Sequence, residues 1–180
     1  MTSSEALKTA MTTVLDTNIV LDLWIFNDPR TQGLRHALRQ GRLHWIATAA
    51  MREELRRVLN YPHLVARMAA SAQTGQAVLD AFDQQATVLE DAPKASCTCK
   101  DADDQKFIDL AVAHRALLLS KDAQVLCMRR RLQRLGVDLN PHIKPPPGFA
   151  VEAPQQAFYA ALFQAPSPAL SPALSPAEVA

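Results

Sequence analysis

The chain has 180 residues, 48% of them hydrophobic and 21% charged, with a formal net charge of +1 at pH 7. That length suits one domain with a sizeable core, and the near-neutral balance excludes a global field that would draw in nucleic acid, so any polyanion site has to be local. No apolar run reaches the roughly 18 residues of a membrane span; Cys97, Cys99 and Cys127 do not make a disulfide framework, which points to a reducing cytoplasm.

Residues 1–11, which include Glu5 and Lys8 and no apolar core, read as a flexible leader and not as a signal peptide. Thr12–Asp16 reads as the first strand, in which Val14 and Leu15 run into Asp16 and then Thr17 and Asn18. A helix over about Ile19–Phe26 ends at the turn signal Asn27-Asp28-Pro29. Gln32–Gln40 has Leu34, Ala37 and Leu38 at helical spacing, with Gly41 as its stop. Leu43–Ala47 is the second strand, and Thr48 is placed to cap a helix over Ala49–Leu59 that ends before Tyr61-Pro62. Residues 63–86 read as helical with a break at Gly75, and Thr87–Glu90 as a short strand. After a loop over Asp91–Lys100, a helix starts at Asp101 or Asp103 and runs to about His114. Ala116–Ser120 is a buried strand, and Ala123–Leu135 a helix closed by Gly136.

Helices alternating with short apolar strands predict an α/β fold with a mostly parallel sheet covered on both faces. The domain is expected over 12–150. Residues 151–164 are expected to form a helical extension, with Phe158, Tyr159, Leu162 and Phe163 on one face, and 165–180 a disordered Ser/Pro/Ala tail.

An apolar strand ending in Asp delivers a carboxylate to the carboxyl edge of a sheet, where open α/β folds bind ligands. Glu54, Asp104 and Asp122 fall where later elements could reach the same edge. Each has a bland explanation. Asp16 and Asp122 could cap the helices that follow them, Glu54 could belong to a solvated salt-bridged face, and Asp101-Ala102-Asp103-Asp104 is favoured at a helix N-terminus by the macrodipole. Capping alone leaves unexplained why two strands both lead into Asp. Ile108 and Ala111 share a helix face with Asp104, which aims it at the core edge, whereas Asp103 lies about 100° round and reads as solvated or outer. Asp109 and Asp22 read as peripheral or structural. Four converging carboxylates repel one another unless a cation lies among them, and hard ions such as Mg²⁺ or Mn²⁺ prefer such oxygens. The run Met128–Arg134 is the best basic segment, though a solvated helix face explains it at least as well; Cys97-Thr98-Cys99 reads as loop thiols, since no second pair of zinc-ligand spacing follows.

Together these segments resemble the PIN-domain family. Val14-Leu15-Asp16-Thr17-Asn18 resembles its opening motif, Glu54-Leu55 its second acidic position, Asp101–Ile108 with Ala111 its third motif, and Leu118-Leu119-Ser120-Lys121-Asp122 its fourth. The motifs span about residues 12–135 and are most similar to those of the bacterial branch known as toxins of toxin–antitoxin systems. Gln105 stands where that branch is often acidic, and Ser120-Lys121 where Thr-Gly is commoner. The resemblance implies a three-layer α/β/α sandwich and a Mg²⁺- or Mn²⁺-dependent endoribonuclease acting on RNA, often a homodimer and silenced by a small antitoxin protein. Asp16, Asp104 and Asp122 are then the expected metal ligands, Glu54 the fourth catalytic carboxylate, and Thr17, Asn18 and Lys121 substrate-orienting groups. The alternative is a noncatalytic metal- or RNA-binding module that keeps the fold and acts through a protein partner.

Overall fold

The computed structural model describes residues 10–28 and 31–139. Four parallel strands, β1 (Met11–Leu15), β2 (Leu43–Thr48), β3 (Thr87–Leu89) and β4 (Leu117–Leu119), lie in the order β3-β2-β1-β4. The helices are α1 (Thr17–Trp24), α2 (Gln32–Arg39), α3 (Ala49–Val58), α4 (Pro62–Ala70), α5 (Gly75–Gln85), α6 (Gln105–His114), α7 (Ala123–Leu126) and α8 (Arg129–Arg134). Successive strand side chains point to opposite faces, yet Leu117, Leu118 and Leu119 are all buried, as are Val14 and Leu15. Both faces of the sheet are therefore covered, which makes the three-layer sandwich that the alternation of elements predicts. The expected leader and the extension, tail and end of the domain beyond residue 139 lie largely outside the described residues; β1 begins at Met11, inside the span assigned to the leader.

The register explains where the site forms. β1 pairs with β2 through Thr13↔Trp45 and with β4 through Leu15↔Leu119. From β1 the chain steps outward to β2 and β3, then returns across the sheet to add β4 on the other side of β1. The order reverses between β1 and β4, and in open parallel sheets the crevice at such a reversal, outside the carboxyl ends of the strands, is where ligands bind. Asp16 follows β1 there directly, and its N–H donates to the Leu119 carbonyl at 2.9 Å.

Local chemistry sets the boundaries and corrects several expected ones. The segment over 63–86 is two helices, and the break precedes Gly75: Thr74 caps α5 by accepting from the Ala77 N–H at 3.1 Å, and Ala72 takes a left-handed φ of 51°. Pro62 opens α4 at its first turn, where a missing N–H is harmless. The helix expected from Asp101 or Asp103 starts at Gln105, because Asp101 instead accepts the Asp103 N–H at 2.9 Å in a local turn. The helix expected over Ala123–Leu135 is split into α7 and α8 around Cys127-Met128, where the Met128 N–H turns back to the Val125 carbonyl at 3.0 Å. Gly136 does close α8, with φ of 80°, and lets the Val137 N–H return to Leu132 O at 3.0 Å.

Trp45 anchors the core under β2. Its ring is 1% exposed, stacks on Trp24 at 5.7 Å and meets the edge of Phe82 at 4.8 Å. One strand is thus held against α1 and α5 together. Trp45→Ala should cost about 3–5 kcal/mol, read as a lower urea midpoint; a loss under about 1 kcal/mol would mean that this contact is not a main support of the sheet.

Candidate functional site

Asp16 is the N-cap residue of α1, yet its side chain makes no cap hydrogen bond, so capping does not account for it. It is 4% exposed. Its Oδ2 accepts from Asn18 Nδ2 at 2.9 Å and from the Ser120 hydroxyl. Ser120 Oγ in turn accepts the Asp122 N–H at 2.9 Å, and Asn18 Oδ1 accepts the Lys121 N–H at 3.1 Å. Asn18 and Ser120 therefore stitch the end of β1 to the end of β4. Asp122 does cap α7, through Oδ1 to the Gln124 N–H at 2.6 Å.

Asp104 arrives from the opposite side of the crevice, at the head of α6, a helix that packs on β1 and β4. It too is an N-cap residue without a cap hydrogen bond, and its Oδ2 is buried with no hydrogen-bond partner. An unsatisfied carboxylate oxygen is costly to bury. The loop before it is fastened to the helix: Gln105 accepts the Cys99 N–H at 2.7 Å and donates to Cys97 O at 3.1 Å and to Asp109 at 2.6 Å. Asp109 also accepts the Ala95 N–H at 2.8 Å. Asp109 is thus a loop fastener, and Gln105, at the position where the family resemblance leads one to look for an acid, serves the same purpose.

Glu54 is brought by α3. Its Oε1 accepts from the Thr17 hydroxyl at 2.7 Å, and Oε2, which has no neutral donor, meets the Lys106 ammonium. Lys121 forms an ion pair with buried Asp22 and lies 3.9 Å from Asp28. Asp103 is exposed, as are Arg130, Arg131 and Arg134. Of the residues singled out in the sequence, Asp16, Asn18 and Asp122 are joined through hydrogen bonds to the Ser120–Asp122 segment, Thr17 and Glu54 join each other, and Asp104 couples to the rest by charge. Thr17, Asn18 and Lys121 all make contacts within the protein. Ser120 and Lys106 are the participants whose partners sequence reasoning did not assign. A buried hydroxyl ending an apolar strand was the signal for the first, and a cation directly after the acidic run that leads into α6 for the second.

Burial raises Asp104 from its ordinary 3.8 to about 7, with the charges of Asp16, Asp122, Asp101 and Glu54 adding to the effect. Burial likewise raises Asp16 to about 6; the Ser120 hydrogen bond opposes this, and the charges of Glu54 and Asp122 reinforce it. Two carboxyls that resist ionisation and one orphaned oxygen suit a hard cation, which would reverse the local electrostatics. Among the described residues, however, no group of three or more His, Cys, Asp or Glu side chains is arranged to hold a metal ion. The donor chemistry fits; a closed coordination set is not preformed.

A fully parallel sheet with opposed carboxylates at its switch crevice defines an α/β protein with an acidic edge site. A PIN domain profile matches residues 12–123, which reach from β1 through the start of α7, and the chain belongs to the PIN-domain family. No curated protein sequence matches it. The chain is similar in structure to VapBC2 from Rickettsia felis, solved bound to a DNA fragment from its promoter, with a TM-score of 0.49 and 14% identity over 72% of this chain and 98% of that one. Family membership rests on the profile match. No helix among the described residues is long and apolar enough to cross a membrane.

The raised carboxyls set a direction for stability. In chelator, between about pH 5 and pH 7, the native state holds protons on Asp16 and Asp104 that the unfolded chain has released, so stability falls as pH rises through that window. Glu53 and Asp83, held below their ordinary values chiefly by hydrogen bonds from Arg56 and Arg52, act in the opposite sense but at lower pH. Asp104→Asn should therefore match wild type only near the ordinary carboxyl value of 3.8 and below, and exceed it increasingly up to about pH 7, measured as urea midpoints with chelator present. A variant no more stable than wild type above pH 7 would contradict the strained-carboxylate picture.

Proposed function

We propose that this chain is a divalent-metal-dependent endoribonuclease that hydrolyses RNA phosphodiester bonds. The observation that carries this is the buried, unpartnered Oδ2 of Asp104 facing an acidic crevice that it shares electrostatically with Asp16. Nuclease activity is the general property of the family; RNA as substrate and the metal requirement are inferred from the chemistry of the site.

Asp16, Asp104 and Asp122 would hold Mg²⁺ or Mn²⁺, which when bound supplies a water nucleophile at neutral pH and stabilises charge on the phosphoryl group. Asn18 and Ser120 fix the Asp16 carboxylate so that it cannot rotate away from the crevice. Glu54, itself oriented by Thr17, would help orient the attacking water. Lys121 is about a third exposed and follows Ser120 directly, so its ammonium could lean toward a phosphate while Asn18 holds its backbone. Thr17 could exchange its Glu54 contact for a phosphate oxygen. The motif resemblance supports a narrower reading as the toxin of a toxin–antitoxin pair, cytoplasmic, dimeric and silenced by a small protein partner.

The noncatalytic reading draws on the absence, among the described residues, of a preformed metal-holding group. The two separate cleanly. With single-stranded RNA and Mg²⁺ or Mn²⁺, Asp16→Asn and Asp104→Asn should lower cleavage by orders of magnitude with folding retained by circular dichroism, because the ion loses a charged ligand. RNA bound by the wild-type chain but never cut, at any Mn²⁺ concentration, would favour the noncatalytic module.

Binding is also visible without turnover. An ion that binds only the native state adds about 2.7 kcal/mol at a hundredfold excess over Kd. Mn²⁺ should raise the melting temperature of wild type well beyond that of Asp104→Asn. Equal rises would assign the effect to loose ion association elsewhere on the surface.

A further inference from the structure

Lys106 is out of place by the ordinary electrostatics of helices. It lies in the opening turn of α6, where the unpaired N–H groups present partial positive charge and a cation is disfavoured. It is also drawn inward, with only 22% of its side chain exposed, although a lysine normally keeps its ammonium in water. What holds it there is specific. Its ammonium meets Glu54 Oε2, donates a hydrogen bond to the Asp103 carbonyl, and lies 5.0 Å from the centre of the Phe107 ring. A carboxylate, a carbonyl and a ring face surround it, as they would a bound cation.

The consequence is an uneven crevice. At the Glu54 end both carboxylate oxygens are engaged, Oε1 by Thr17 and Oε2 by Lys106. At the other end Asp104 Oδ2 has no partner at all. An acidic site of four carboxylates could take two divalent ions, as many phosphodiester-cleaving sites do. Here Glu54 already has a cation against it from within the chain.

We propose that the Lys106 ammonium, fixed against Glu54, stands in for a second divalent ion, so that the site takes a single ion at the Asp16–Asp104 end. This rests on the metal-dependent reading above and deepens it by setting the stoichiometry. Lys106 is not asked to touch the reacting phosphate; it neutralises Glu54 and denies that carboxylate to a second cation. Its cationic character is what matters, so Arg can replace it and an apolar side chain of similar length cannot.

The test is a Mn²⁺ titration of the full chain, by calorimetry and by the spin-resonance signal of free Mn²⁺, in enough monovalent salt to suppress loose surface association. Wild type should bind one Mn²⁺ per chain. Lys106→Met should bind two, or bind its ion at least about tenfold more tightly, because Glu54 regains its unpaired charge. Lys106→Arg should remain at one, and thermal melts of all three report that each is folded. Two ions on the wild-type chain would overturn the stand-in role alone, as would Lys106→Met indistinguishable from wild type. No binding to wild type would overturn the metal reading itself and this inference with it. If Lys106→Met does not fold, Glu54→Gln in the wild-type background gives the second arm: it should leave the count at one, and a drop to none would show that the ion uses Glu54 and that Lys106 does not exclude it.

Discussion

The rest of the edge is arranged around one burial: the Asp16 carboxylate, 4% exposed, held at the seam where β1 and β4 run side by side. A carboxylate in that position has to be compensated. Two neutral donors, Asn18 and Ser120, supply part of the compensation, and both are drawn from segments that the pairing of β1 with β4 brings together. The same two residues reach across to the backbone of Lys121 and Asp122. The seam therefore fixes the carboxylate, and the carboxylate's partners help fix the seam. Neutral donors reduce the cost without cancelling the charge, which is why Asp16 remains a reluctant acid.

Asp104 is compensated differently, by rigidity without charge. Gln105 and Asp109 lash the loop before α6 to the helix, and the Asp104 side chain is left facing the crevice with an oxygen unmet. Glu54 has the opposite circumstance, with a hydroxyl on one oxygen and an ammonium on the other. Three acids that look equivalent in a list of residues thus stand in three electrostatic conditions: shared among neutral donors, unmet, and paired. The differences come from their neighbours and not from the acids themselves.

This distinction marks what could be read from the sequence. The strands, most helices and the four acidic positions follow from local patterns: apolar runs ending in Asp, Thr48 as a cap residue, and Gly136 as a stop. Asp104 on the same face as Ile108 and Ala111 was legible because helical periodicity is local. The break at Cys127-Met128 was not, since Val125, Met128 and Leu132, all buried, keep the spacing of a continuous helix. Nor was the pairing of Lys106 with Glu54, or of Lys121 with Asp22, because each depends on how distant helices are set by the sheet. Gln105 was noticed as a departure from a pattern, but its use as a loop fastener needs the loop's backbone in view. Residue types and periods carry elements; partners require the fold.

The isolated bridge between Leu118 and Leu139 is parallel, and Leu118 N–H donates to Asp138 O at 2.9 Å. The chain therefore passes its last described residue travelling in the same direction as β4, beside the strand that lines the crevice. Leu139 is thereby aligned with the strands whose carboxyl ends carry Asp16 and Asp122, and an antiparallel bridge would have turned it toward the opposite edge. The polarity of a single backbone pairing sets the direction of the last described residues.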